Sequence, residues 1–193
     1  KTFLSASAIG YYGNRGDEIL DENSVKGNGF FPELAEQWEG TANKAGSDHT
    51  RVVNLRIGLV LSAKGGALQK MLTPFRLGLG GNISDGNMYW SWISINDLMS
   101  SVFFILNNES VSGAVNIVSP TPVKNSEFTK LLGNVLLRPT FFAVPSFIIK
   151  TFLGEFGEEA LLASTRVLPL KLNNAGFDFK DKDLKLTLES MIS

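Results

Sequence analysis

The chain has 193 residues, with 19 acidic and 18 basic side chains, one histidine and no cysteine. A hydrophobic fraction of 44% at that length builds one sizeable domain or two small ones and excludes global disorder, while a net charge of −1 gives no electrostatic basis for nucleic acid or an anionic membrane as partner. Without cysteine there is no disulfide, thiolate nucleophile or thiolate metal site, and the single His49 leaves no metal centre to expect.

In chain order, Lys1 to Ala6 reads as a short strand leaving the core, and Ser7 to Gly29 as a long loop rich in Gly, Asn and Asp. Loops of that length inside a compact domain are usually functional. A helix is predicted from Pro32 to Lys44, with Leu34, Ala35, Trp38 and Ala42 as its apolar stripe. Arg51 to Leu61 reads as a strand buried on both faces of a parallel sheet. Gly65-Gly66 opens a second helix that runs to about Leu72 and is disturbed by Pro74. A glycine-rich stretch from Phe75 to Asn87 leads into an aromatic strand, Met88 to Ile93. Asn96 or Asp97 is expected to cap a third helix ending at Asn107-Asn108. Gly113 to Val118 is a buried strand, and Asn125 or Ser126 caps a helix that stops before Pro139. Thr140 to Ser193 reads as short helices, the last of them amphipathic from about Lys182. Its most apolar stretch, Phe141 to Leu153, is broken by Pro145 and carries Lys150, so no membrane span is expected. Strand and helix alternate from Lys1 to Leu137, which predicts an α/β fold with a largely parallel sheet and a helical appendage.

In such sheets ligands bind beyond the carboxyl ends of the strands. One such end is Ser5-Ala6-Ser7-Ala8-Ile9-Gly10-Tyr11-Tyr12-Gly13, where small residues would let a flat ring approach and a serine hydroxyl or phenol could donate to a substrate oxygen. The same residues are equally a tight turn with packed tyrosines. Arg56, inside an apolar strand, demands a partner: a structural ion pair first, a ligand contact second. Gly65-Gly66 and Gly78-Leu79-Gly80-Gly81 match no phosphate-binding fingerprint. His49 reads as a solvated loop residue, and Glu36, Glu39 and the Glu158-Glu159 pair as solvated helix faces.

The order of these pieces carries more than any one of them. Ser5 to Gly13, Trp38-Glu39, Arg56-Ile57-Gly58-Leu59-Val60-Leu61, Pro74 to Gly81, and Trp92-Ile93-Ser94-Ile95-Asn96-Asp97-Leu98 occur in sequence. Gly113-Ala114-Val115-Asn116, Asn125-Ser126-Glu127-Phe128 and Arg166-Val167-Leu168-Pro169 follow. The whole chain resembles epimerase-family proteins, nucleoside-diphosphate-sugar epimerase-like members of the atypical, extended short-chain dehydrogenase/reductase superfamily.

The resemblance implies the C-terminal part of a Rossmann-type NAD(P)-binding fold over residues 1–138, with a substrate-side insertion at about 62–92 and a small, mostly helical domain over 139–193. It implies NADP or NAD as cofactor and a small-molecule substrate of unknown identity, in a cytoplasmic protein that contacts neither nucleic acid nor membrane. The family's glycine-rich cofactor loop lies upstream of the residue matching Lys1, so weak cofactor binding by these residues is expected, together with an exposed sheet edge prone to homodimer pairing. The family's catalytic Ser matches Ser7. Its Tyr-x-x-x-Lys pair falls on Phe31 and Ala35, which leaves Tyr11 or Tyr12 as the proton donor. Ala6, Ser7 and Leu59 are expected to line the cofactor, and Arg76, Trp90 and Trp92 the substrate. Sugar-binding Asn and Arg positions of true epimerases are matched by Leu59 and Trp90, so a less polar substrate is expected. The function expected is an NAD(P)-dependent oxidoreductase or epimerase-like enzyme; the alternative is a non-catalytic NADP(H)-binding sensor or scaffold.

Overall fold

A computed structural model describes residues 1–145 and 162–192. The Glu158-Glu159 pair, most of Phe141 to Leu153 and part of the predicted run of short helices lie outside the described residues. Three parallel strands form the main sheet in the order β1 (Thr2–Ala8), β3 (Arg51–Ile57) and β7 (Gly113–Ile117). Their register places Ser7, Arg56 and Asn116 side by side, one residue short of the carboxyl tips.

The two faces of this sheet differ. Val53, Leu55, Val115 and Ile117 pack with Ile93 and Ile105 into an apolar core beneath α3 (Ile95–Asn107). The opposite face carries Ser5, Ser7, Asn54, Arg56 and Asn116 and is covered by α1 (Phe30–Asn43). The expected strand apolar on both faces is therefore apolar on one and polar on the other. The inward side of α1 is correspondingly Pro32, Ala35, Glu39 and Ala42, while Leu34 and Trp38, predicted to face the core, are exposed. Small alanines bring the helix close, and Glu39 meets the polar face.

β3 does not run on to Leu61 in one piece. It breaks at Gly58, and β4 (Leu59–Leu61) pairs in parallel with β6 (Trp92–Ser94). A Cβ at Gly58 would lie 2.4 Å from the Ser91 carbonyl oxygen, so only glycine lets the chain pass there. The predicted Met88–Ile93 strand likewise splits at Ser91 into β5 (Tyr89–Trp90), which pairs antiparallel with β8 (Val123–Lys124), and β6. The Ser91 hydroxyl donates to Thr165 O at 2.7 Å and accepts from Val167 N at 2.8 Å, tying the break to the segment at Thr165–Val167.

Two predicted boundaries shift. α2 runs Gly66–Arg76 straight through Pro74, because the missing amide removes one bond near the helix end while Leu68, Leu72 and Phe75 stay buried. α3 is capped by Ser94, whose hydroxyl accepts from Asp97 N at 3.0 Å, and not by Asn96 or Asp97. The buried Asp97 carboxylate instead accepts the backbone amides of Lys180 and Asp181, tying the C-terminal segment to α3.

The long loop also holds structure. After a 3-10 turn at Ile9–Tyr12, β2 (Ile19–Leu20) pairs in parallel with β9 (Arg166–Val167), and Leu20 is buried beside Tyr12, Val118 and Val167. Beyond α4 (Asn125–Leu136), the described C-terminal residues form α5 (Leu170–Asn174) and α6 (Leu184–Ile192). Leu184 and Leu188 of α6 pack with Phe128 and Leu132 of α4, Leu72 of α2 and Trp92 in a second core. Among the described residues no helix is long and apolar enough to cross a membrane.

Candidate functional site

The sheet ends in a cavity of about 540 Å³ at the carboxyl tips of β1 and β3. Its floor is Ala8, Ile57, Gly58 and Leu59; α1 contributes Phe31 and Pro32, α2 contributes Ala67 and Met71, and the β5–β6 break contributes Trp90 and Ser91. Ile9, Gly10, Gly13, Asn14 and Asn28 of the long loop, with Ala163 and Thr165, complete the described lining. None of these side chains ionises. Beyond strand tips of a parallel sheet is where α/β proteins hold ligands.

Directly behind the floor runs a buried polar row. Arg56 grips Glu39 with two hydrogen bonds of 2.8 Å, Nε to Oε1 and Nη2 to Oε2. Its Nη1 donates to Tyr12 Oη at 3.0 Å, which in turn donates to Asn116 Oδ1 at 2.8 Å. Ser7 Oγ donates to Glu39 Oε1 at 2.7 Å, and the Arg56 guanidinium lies 3.4 Å over the Tyr11 ring. Glu39, expected on a solvated face, is 7% exposed and is the partner that Arg56 required. The ion pair is the structural one expected first for this arginine.

Burial would lower the Arg56 pKa, but its bonds to Glu39 and Tyr12 outweigh that and hold the group above its usual value. Burial pushes the Tyr12 phenol up, with Arg56 opposing only in part, so Tyr12 stays protonated. Glu22, on the loop after β2, accepts the amides of Asn116 and Lys171 through Oε1, while its buried Oε2 has no partner among the described residues. Burial pushes its carboxyl up as well.

The predicted site residues fall in two groups. Leu59 and Trp90 line the cavity. Ser7 and Tyr12 do not: their hydroxyls are committed to Glu39 and Asn116, and Tyr12 is fully buried. Tyr11 stacks under Arg56, and Ala6 lies on β1 two residues before the tip residue, Ala8, that reaches the cavity. Trp92 is turned into the second core, its indole N–H donating to Thr121 O at 2.9 Å. Arg76 is exposed at the end of α2 and is absent from the described lining. Phe31, matched to the family's tyrosine position, does line the cavity. Ala8, Asn28, Met71 and Thr165 were not foreseen; only Ala8, as the small residue ending the strand, carried a signal.

A parallel sheet whose tips open onto a cavity with no ionisable side chain in its described lining defines an α/β protein of the Rossmann type. The human epimerase family protein SDR39U1, solved with NADPH, superposes with a TM-score of 0.94 at 33% identity, over 99% of this chain and 65% of that one. An epimerase family protein of Mycobacterium leprae is 43% identical over 93% of this chain and 58% of its own length. The chloroplastic SDR39U1 homologue of Arabidopsis thaliana is 40% identical over 98% of this chain and 54% of its own length. The family described as "Domain of unknown function (DUF1731)" matches residues 144–191. The chain belongs to the epimerase family proteins, with their Rossmann-like fold. It spans a little over half the length of these curated relatives.

Proposed function

We propose that this chain forms the nicotinamide end and substrate compartment of an NADP(H)- or NAD(H)-dependent oxidoreductase or epimerase-like enzyme. The observation that carries the reading is the cavity at the β1 and β3 tips, in a fold that superposes at a TM-score of 0.94 on a relative solved with NADPH. Ala8, Gly58 and Leu59 offer a small, uncharged floor that fits a flat ring. The described lining has no basic side chain, so these residues suit the nicotinamide and not the pyrophosphate. When bound, the nicotinamide supplies hydride chemistry; the protein supplies orientation and a water-poor wall. In this reading Ser7 positions Glu39 and hence the strand tip, and the buried Tyr12 fixes the turn that follows. A cytoplasmic protein acting on a small molecule is part of the same proposal.

A second reading, an NADP(H) sensor or scaffold without turnover, is favoured by Phe31 and Ala35 standing where the family places its proton-transferring Tyr and Lys. Calorimetric titration with NADPH and NADH, followed by a reductase screen on aldehydes, quinones and ketosugars, separates the two. Binding with turnover supports the enzyme, and binding without turnover the sensor. Absence of even weak binding contradicts both. Leu59→Trp, which fills the floor, is expected to abolish binding.

A further inference from the structure

Resting on that reading, we propose that the substrate side of the cavity holds an uncharged, planar, carbonyl-bearing ring of the quinone class, and not a nucleotide sugar. Charge comes first. No described lining side chain ionises, so among the described residues the two phosphates of a nucleoside diphosphate would be desolvated with no cation in the lining to meet them, a cost of several kcal/mol per charge. The nearest buried cation, Arg56, is already saturated by Glu39 and Tyr12.

Shape agrees. Phe31 and Trp90 give two aromatic surfaces, and Trp90 is held by an edge-on contact with Phe128 at 5.2 Å between ring centroids. Met71, Ala67 and Leu59 add apolar wall, in a volume of about 540 Å³ that suits a small ring system. Polar matching completes the case. A sugar offers many hydroxyls that need partners, whereas of the two hydroxyls in the described lining Ser91 is spent on Thr165 O, which leaves Thr165 alone, and those of Ser7 and Tyr12 behind the floor are spent on Glu39 and Asn116. A quinoid carbonyl asks only for a neutral donor. Exposed Asn28, whose side chain bonds to no described residue, has an amide to give.

Menadione, a two-ring quinone, is the probe, and UDP-glucose the comparison. Each is titrated into the protein by tryptophan fluorescence and calorimetry, and NADPH binding is measured separately. Menadione is expected to bind saturably and quench, with most of the quench lost in Trp90→Phe. Met71→Asp, which brings a charge into the lining, is expected to weaken menadione about tenfold or more. Ala67→Phe, a filling change at a half-buried helix start, is expected to do the same with the far-ultraviolet circular dichroism unchanged. UDP-glucose binding in preference to menadione, or menadione binding indifferent to all three variants, overturns the inference. If NADPH binds while menadione does not, the cofactor reading stands and this one fails. If menadione binds and NADPH does not, the reverse holds.

Discussion

Arg56 and Glu39 show how much one side chain decides. Both are buried, and each satisfies the other through two parallel bonds, so removing one leaves an uncompensated charge against the sheet. Glu39→Gln alone is expected to destabilise by about 3–5 kcal/mol in urea unfolding. The double variant Arg56→Met with Glu39→Leu is expected to cost much less than the two single changes summed, because no charge remains stranded. Glu22 makes a prediction in pH. Its folded pKa is raised, so the native state binds its proton more tightly than the unfolded chain does. Its stabilising contribution is complete below the ordinary glutamate value of about 4.3 and fades as pH rises through the folded value. Glu22→Gln is therefore expected to raise the Tm at about pH 8 relative to the parent and to narrow the gap at about pH 5. Of these residues, Arg56 was legible in the sequence, since a cation in an apolar strand announces a missing carboxylate. Glu39 was read as part of a solvated face, because of its spacing from Glu36; its place one turn after Ala35 and one before Ala42 was the better guide. The destination of the Ser7 and Tyr12 hydroxyls was illegible, because it depends on a register across three strands.

At the level of elements, the chain's small residues set direction. Gly58 lets β3 hand over to β4 past the Ser91 carbonyl, which moves the chain from the main sheet to the pair that walls the cavity. Gly58→Ala is expected to cost about 1–3 kcal/mol and to disorder Leu59, read as a lowered Tm together with weakened NADPH binding. The alternation of strands and helices followed from hydrophobic period alone. The breaks at Gly58 and Ser91 did not, because both halves of each run are apolar and differ only in which sheet accepts their hydrogen bonds. The helix cap shows the same limit: Ser94, Asn96 and Asp97 are all capable, and the burial of Asp97 against the amides of Lys180 and Asp181 leaves Ser94 to cap. β2 was missed for a related reason, as a two-residue strand inside a polar loop has no period to read.

For the whole molecule, the main sheet supplies strand tips and the second core supplies a wall. The cavity exists because α2, the β5–β6 break and the β9 segment converge on the tip of β1. Leu59 and Trp90 of the expected site residues do line the cavity, Ala6 and Ser7 stop short of it, and the far wall required coordinates, since Met71 and Thr165 sit 63 and 157 residues beyond Ala8. That this floor faces a nicotinamide ring is most directly tested by saturation-transfer NMR on the protein with NADPH, a measurement suited to weak ligands. Strong transfer to the nicotinamide protons, abolished in Ala8→Trp, is the result predicted. Transfer confined to the adenine protons, or nicotinamide transfer unchanged in that variant, would contradict it.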